Sequence, residues 1–275
     1  MKRSTISILF VALMYSSCSL DSFLYNQEKI DHYELSAAVI PESNRRMVSF
    51  ESEGNTLYGF YVWRTDTLDR GLTVLYCHGN KKNIEEYWNR VELFYQMGLR
   101  CLIFDYRGFG MSEGEPTASG LYADGDAALH YVQDSLDVDS TQLVLYGFSL
   151  GNVISIDLAA GSLTPHCLIA EAPFASAEAL LQNSTLLDIP GSLVIDDDLN
   201  NAERIREIRT RLLLIHGVAD DFIPWESHGR VVYENAPQPK ELELVPGANH
   251  TDIPWIMGVE NYQNRILNFL VPARG

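Results

Sequence analysis

The chain has 275 residues, 46% hydrophobic and 21% charged, enough apolar material for one sizeable core, and no Ser/Gly/Pro-rich linker divides it. Its formal net charge of −17 comes from acidic residues scattered along the whole length. Such a surface repels phosphate backbones, which argues against nucleic acid as a partner.

The N-terminal stretch is set apart from the rest. "MKRSTISILFVALMYSSCSLDS" runs from Lys2 and Arg3 through an apolar segment over residues 6–15 to small residues, the three regions of an export signal. It falls short of the roughly 20 apolar residues of a stable membrane span. Ser16-Ser17-Cys18 resembles the lipobox of bacterial lipoproteins, although Tyr15 stands where that pattern usually has Leu, Val or Ile. The resemblance implies cleavage, a lipid on Cys18 and an exported protein anchored to a membrane of the cell envelope. The alternatives are cleavage near Ser19 without a lipid, and an N-terminus that is not cleaved or carries no signal. Residues 19–275 then form one domain, in which Cys77, Cys101 and Cys167 lie inside apolar runs and read as buried free thiols. An odd number cannot pair fully within the chain. No Cys/His spacing suggests a metal.

From Met47 onward, short apolar runs alternate with amphipathic stretches. "RMVSFES" and "TLYGFYVWR" flank Gly54-Asn55, a hairpin signal. "LTVLYC", "RCLIFD", "QLVLYG", "HCLIAEA", "RLLLIHG" and "KELELVPG" follow, mostly apolar throughout, as strands buried on both faces are. Between and after them the helical period appears over residues 84–97, 121–136, 150–160, 224–235 and 261–270. The alternation predicts an α/β fold: a mostly parallel central sheet of about eight strands with helices on both faces. In such sheets ligands bind at the carboxyl ends of the strands.

Four strand ends carry unusual chemistry: His78-Gly79-Asn80, Gly147-Phe148-Ser149-Leu150-Gly151, Asp220, and His250. A nucleophile raised on a sharp strand-to-helix turn needs small neighbours two residues to either side, which Gly147 and Gly151 supply in "YGFSLGN". Alone that motif is weak. The order Ser149, Asp220, His250, each after a separate predicted strand, makes it specific, because it is the order of a Ser-His-Asp triad in α/β-hydrolases.

"YCHGNKKNIEEY", "DYRGFGMSEGEPT", "YGFSLGN", "AEAPFAS", "IREIRTRLLLIHGVADDFIP" and "VPGANHTDI" occur in this order, and over residues 48–270 the chain resembles the small-lid α/β-hydrolases of the serine aminopeptidase-like type. The resemblance implies Ser149 as nucleophile, His250 as general base and acid, and Asp220 as the carboxylate that orients it. The backbone N–H groups of Asn80 and Leu150 would receive the oxyanion. A neighbouring amide such as that of Lys81 is the alternative to Asn80. Asp220 and Asp221 are adjacent, so only one can face His250. His78 and His216 read as loop-shaping residues, and Asp105, Arg107, Gly108 and Gly110 as a tight turn after the fourth strand.

Residues 174–209 read as a small lid that leaves the nucleophile open, with Leu180, Leu181, Leu186, Leu187, Ile189, Leu193 and Val194 available for an acyl groove. The functional expectation is a serine hydrolase of carboxylic esters or thioesters, with a small-molecule or acylated substrate and no metal or organic cofactor. A serine peptidase of the same fold is the enzymatic alternative. A hydrolase-fold binding protein without catalysis is the alternative of another class.

Overall fold

The computed structural model describes residues 25–183 and 199–271, and eight strands within them form one sheet. β1 (Arg45–Ser52) and β2 (Asn55–Val62) make an antiparallel hairpin, with Arg45 opposite Val62 and Ser52 opposite Asn55. Its turn is Glu53-Gly54, at φ of 48° and 82°, which suits the twist of the flanking strands. The turn lies one residue earlier than the Gly54-Asn55 pair predicted from sequence, because Asn55 is already paired with Ser52.

β3 (Thr73–Cys77), β4 (Arg100–Phe104), β5 (Leu143–Phe148), β6 (Cys167–Glu171), β7 (Leu212–Gly217) and β8 (Lys240–Val245) run parallel to one another, and β2 runs against them. The order across the sheet is β1-β2-β4-β3-β5-β6-β7-β8. β3, β5, β6 and β7 are buried along their whole length, hence their unbroken apolar runs.

The helices are α1 (Ile84–Gln96), α2 (Ala118–His130), α3 (Gly151–Ala160), α4 (Ala177–Asn183), α5 (Asn201–Arg204), α6 (Gly229–Asn235), α7 (Ile253–Ile256) and α8 (Val259–Leu270). Side chains on a strand alternate between faces, and the sheet accordingly divides two cores. Leu75 and Cys77 pack with Leu121 of α2 and Ile154 of α3, whereas Val74 and Tyr76 pack with Trp88 of α1 and Ile266 of α8.

Three helices differ from the sequence reading. α2 starts three residues early, because the Thr117 hydroxyl accepts the Gly120 N–H at 3.0 Å and caps it, and it ends in a π turn over Tyr131–Ser135. The helix predicted over 224–235 shortens to α6, since the backbone of His228 is not helical (φ −126°, ψ −79°). "NNAERIREIR" becomes α5 followed by a 3-10 turn over Ile205–Glu207.

Cys77, Cys101 and Cys167 are buried free thiols, and burial pushes that of Cys167 up to about 12. No described helix is long and apolar enough to cross a membrane. The predicted export signal with Cys18 lies outside the described residues, as do Leu186, Leu187, Ile189, Leu193, Val194 and the side chain of Leu181 in the predicted lid. Leu180 of α4 is partly buried against the core.

Candidate active site

β5 ends in a turn so sharp that Ser149 adopts φ +53°, a region that costs a non-glycine residue on the order of 1–3 kcal/mol. The turn is clamped from two sides. Ser149 N–H donates to the Glu171 carbonyl at 3.1 Å, and the Asn152 side-chain amide donates to the carbonyls of Ser149 (3.1 Å) and Glu171 (2.9 Å). The flanking glycines are required by space. A Cβ on Gly147 would lie 2.2 Å from Ser155 Oγ and 2.8 Å from Asn152 Cα, and one on Gly151 would lie 1.9 Å from the Cys77 carbonyl oxygen.

His250, in the loop after β8, brings Nε2 to 2.9 Å from Ser149 Oγ and Nδ1 to 2.8 Å from Asp220 Oδ2. A carboxylate only accepts, so Nδ1 carries the proton and Nε2 accepts from the serine hydroxyl. Asp220 is fixed in turn: its Oδ1 accepts the N–H groups of Ile223 (2.7 Å) and Phe222 (3.1 Å). Asp221 is exposed, and only its backbone amide engages the histidine loop, at 3.4 Å from Asn249 Oδ1. The two loops are further tied by Val218 N–H to the Val245 carbonyl (3.0 Å) and Ala219 N–H to the Ala248 carbonyl (2.9 Å). Ser149 and Asp220 are 6% and 4% exposed. The arrangement can polarise a serine hydroxyl for attack on a carbonyl.

Leu150 opens α3, and its N–H makes no backbone hydrogen bond among the described residues, as expected of a first-turn amide. The loop that carries Asn80 lies against this turn, since the carbonyls of Cys77 and His78 both face Gly151. The Asn80 side-chain oxygen accepts the Asn26 N–H at 2.9 Å.

His78 is stacked between Tyr87 and Tyr106, with centroids 4.9 and 4.3 Å away, and its Nδ1 donates to the Gly79 carbonyl at 2.8 Å. Its Nε2 is 3.2 Å from Asp105 Oδ1 but outside hydrogen-bond geometry. His216 Nε2 donates to the Ile223 carbonyl at 2.8 Å and closes the loop that presents Asp220. Burial lowers its pKa, which keeps the ring neutral. Asp105 accepts the Ile84 N–H at 3.0 Å and the Tyr33 hydroxyl at 2.7 Å, while Arg107 pairs with Asp124 at 2.8 Å.

A further group escaped the sequence reading. Glu171, at the end of β6, is fully buried and accepts from Arg90 of α1 (2.7 Å), Tyr146 of β5 (2.5 Å) and Tyr262 of α8 (2.6 Å). Burial, with the Glu171 charge, raises the pKa of both tyrosines, so they remain donors. Arg90 also donates to the Thr251 carbonyl at 3.1 Å and lies 4.3 Å over the Phe148 ring, which is 5.2 Å from that of His250. One buried ion pair thus joins the serine turn to the histidine loop. Its signal in the sequence is a glutamate ending the apolar run "HCLIAEA", with the strand placing it but nothing naming its partner.

A family model described as serine aminopeptidase, S33, a hydrolase model, matches residues 70–192. The uncharacterized protein Rv2307c of Mycobacterium tuberculosis is 31% identical over 252 residues, covering 89% of this chain and 87% of that protein. The alpha/beta hydrolase domain-containing protein aho-3 of Caenorhabditis elegans is 32% identical over 188 residues, 66% of this chain and 53% of that one. Among solved structures, the esterase Pf2001 of Pyrococcus furiosus superimposes with a TM-score of 0.72 at 20% identity, covering 89% and 95% of the two chains; at that identity the likeness is one of fold. With its eight-stranded, mostly parallel sheet flanked by helices, the chain has the α/β-hydrolase fold and belongs to one family with Rv2307c.

Proposed function

We propose that this α/β hydrolase is a serine hydrolase that cleaves carboxylic ester or thioester bonds through an acyl-enzyme intermediate. The observation that carries the reading is the unbroken path from Ser149 Oγ through His250 to Asp220, with contacts of 2.9 and 2.8 Å. Ser149 attacks the acyl carbonyl, His250 takes its proton and returns it to the leaving group, and Asp220 holds the imidazole in the required tautomer. Leu150 and Asn80 supply backbone amides to the oxyanion. A fluorophosphonate probe tests this directly: it should label the wild type on Ser149 and leave Ser149→Ala unlabelled. Equal labelling of the two proteins would refute the assignment. The family model's description, a serine aminopeptidase, supports a second reading, cleavage of N-terminal aminoacyl amides. A substrate panel of esters, thioesters and aminoacyl amides separates the two by kcat/KM. The proposal includes export and a membrane anchor through lipid on Cys18, supported by the signal-like N-terminal sequence.

A further inference from the structure

Large apolar side chains open to solvent are unevenly spread among the described residues. Val218, Phe222, Trp255 and Ile256 are 51%, 65%, 44% and 51% exposed; the first two lie on the loop that carries Asp220, and the other two on α7, which follows the loop of His250. Phe222 meets the His250 ring edge to face, with centroids 5.1 Å apart. Trp255 lies 5.6 Å from the Arg90 guanidinium, which in turn stacks on Phe148. Phe222 helps to hold Asp220 only through its backbone N–H, which any residue but proline supplies. The ring itself buries little and stands beside the imidazole.

We propose that Phe222, with a smaller contribution from Trp255, binds the leaving group of the substrate, and that this group is apolar or aromatic. The inference rests on the serine-hydrolase reading above. When the tetrahedral intermediate collapses, the bond from the carbonyl carbon to the departing oxygen or sulfur breaks. His250 Nε2 delivers the proton it took from Ser149 to that atom, releasing an alcohol or thiol and leaving the acyl group on Ser149. Water then attacks the acyl-enzyme and gives a proton to His250; the bond from the acyl carbon to Ser149 Oγ breaks, His250 returns the proton to Oγ, and the carboxylic acid leaves. The departing atom must therefore come within about 3 Å of Nε2, and whatever it carries passes over the ring's neighbours. Phe222 is such a neighbour. Asp221, exposed next to it, and the net charge of −17 disfavour an anionic leaving group.

The test compares 1-naphthyl acetate with methyl acetate, which share an acyl group, on the full chain. Intrinsic ester reactivity cancels when the ratio of the two kcat/KM values is compared between variants. Phe222→Ala should lower the naphthyl-to-methyl ratio by about tenfold, mainly through KM. Trp255→Ala should lower it less, and Phe222→Tyr, which keeps the ring, should preserve it. A ratio unmoved by Phe222→Ala, or a loss that grows along a naphthyl acetate, butyrate and octanoate series, would overturn the assignment, the latter by placing Phe222 on the acyl side. A fluorophosphonate carries only fluoride as leaving group and keeps the two readings apart. Protein that is labelled on Ser149 yet shows an unmoved ratio rejects the leaving-group site alone. Protein that is neither labelled nor active on either ester rejects the serine-hydrolase reading and this inference with it.

Discussion

At the scale of single residues, the candidate site is built on strain that its neighbours hold in place. Ser149 sits at φ +53° because the Glu171 carbonyl and the Asn152 amide fix the turn, and the same turn aims Oγ at His250. Groups that act as a unit lose nearly everything together, so Ser149→Ala and His250→Ala should each lower kcat by roughly 10⁴-fold or more, with circular dichroism unchanged. Near-normal turnover by either purified variant would refute the assignment. The carboxylates can be separated by the same assay. Asp220 accepts from His250 Nδ1 and two backbone amides, whereas Asp221 is exposed. Asp220→Asn should therefore cripple kcat, since an amide group facing Nδ1 favours the wrong tautomer. Asp221→Asn should stay within a few-fold of wild type, and the opposite ranking would shift the role by one residue.

At the scale of elements, α1, β5, β6, α8 and the histidine loop converge on the Arg90–Glu171 pair. Breaking a buried ion pair leaves an uncompensated charge and typically costs about 3–5 kcal/mol. Arg90→Met should lower unfolding stability in urea by that order, and Glu171→Gln somewhat less, since glutamine keeps an acceptor for the two tyrosine hydroxyls. The double variant should cost less than the sum of the two, and strict additivity would mean that the residues do not act as a pair. This group also marks where the sequence stopped being readable. The central strands were legible because burial on both faces writes an unbroken apolar run, and Ser149, Asp220 and His250 because each follows a strand in a known order, the first two after such runs and His250 after the alternating, half-buried β8. Arg90 and Glu171 are 81 positions apart, and in an amphipathic helix Arg90 reads like any solvated charge. Only the packing of α1 against the sheet turns its side chain inward. The same limit applies to α6, whose late start depends on the tertiary fit of Gly229 against His216.

At the scale of the whole molecule, position and charge decide behaviour. If Cys18 carries the proposed lipid, the protein should fractionate with membranes, and Cys18→Ala should release it or block its processing; a mature N-terminus at Ser19 or beyond with no lipid would exclude the anchor. Charge acts on stability through two opposed effects. The net charge of −17 at neutral pH repels itself, so protonating carboxylates on acidification should favour the compact state. His228 works the other way. It is fully buried, its Nδ1 accepts the Ala175 N–H at 3.2 Å, and burial with the neighbouring His216 lowers its pKa to about 4. As pH falls below about 6.5, the unfolded chain takes up a proton at this position that the folded chain refuses. Stability is therefore lost on acidification, by about 2 kcal/mol between pH 7 and pH 5, and the burial-lowered His216 adds in the same direction. Salt separates the effects: at 1 M the screening length is about 3 Å, which removes surface repulsion but leaves a buried imidazole untouched. Urea unfolding in 1 M NaCl should then show stability falling from pH 7 to pH 5, with a flatter fall in His228→Gln, whose side-chain oxygen can still accept the Ala175 N–H. An identical fall in the variant would assign the acid sensitivity elsewhere, and stability rising toward pH 5 in high salt would contradict the sign.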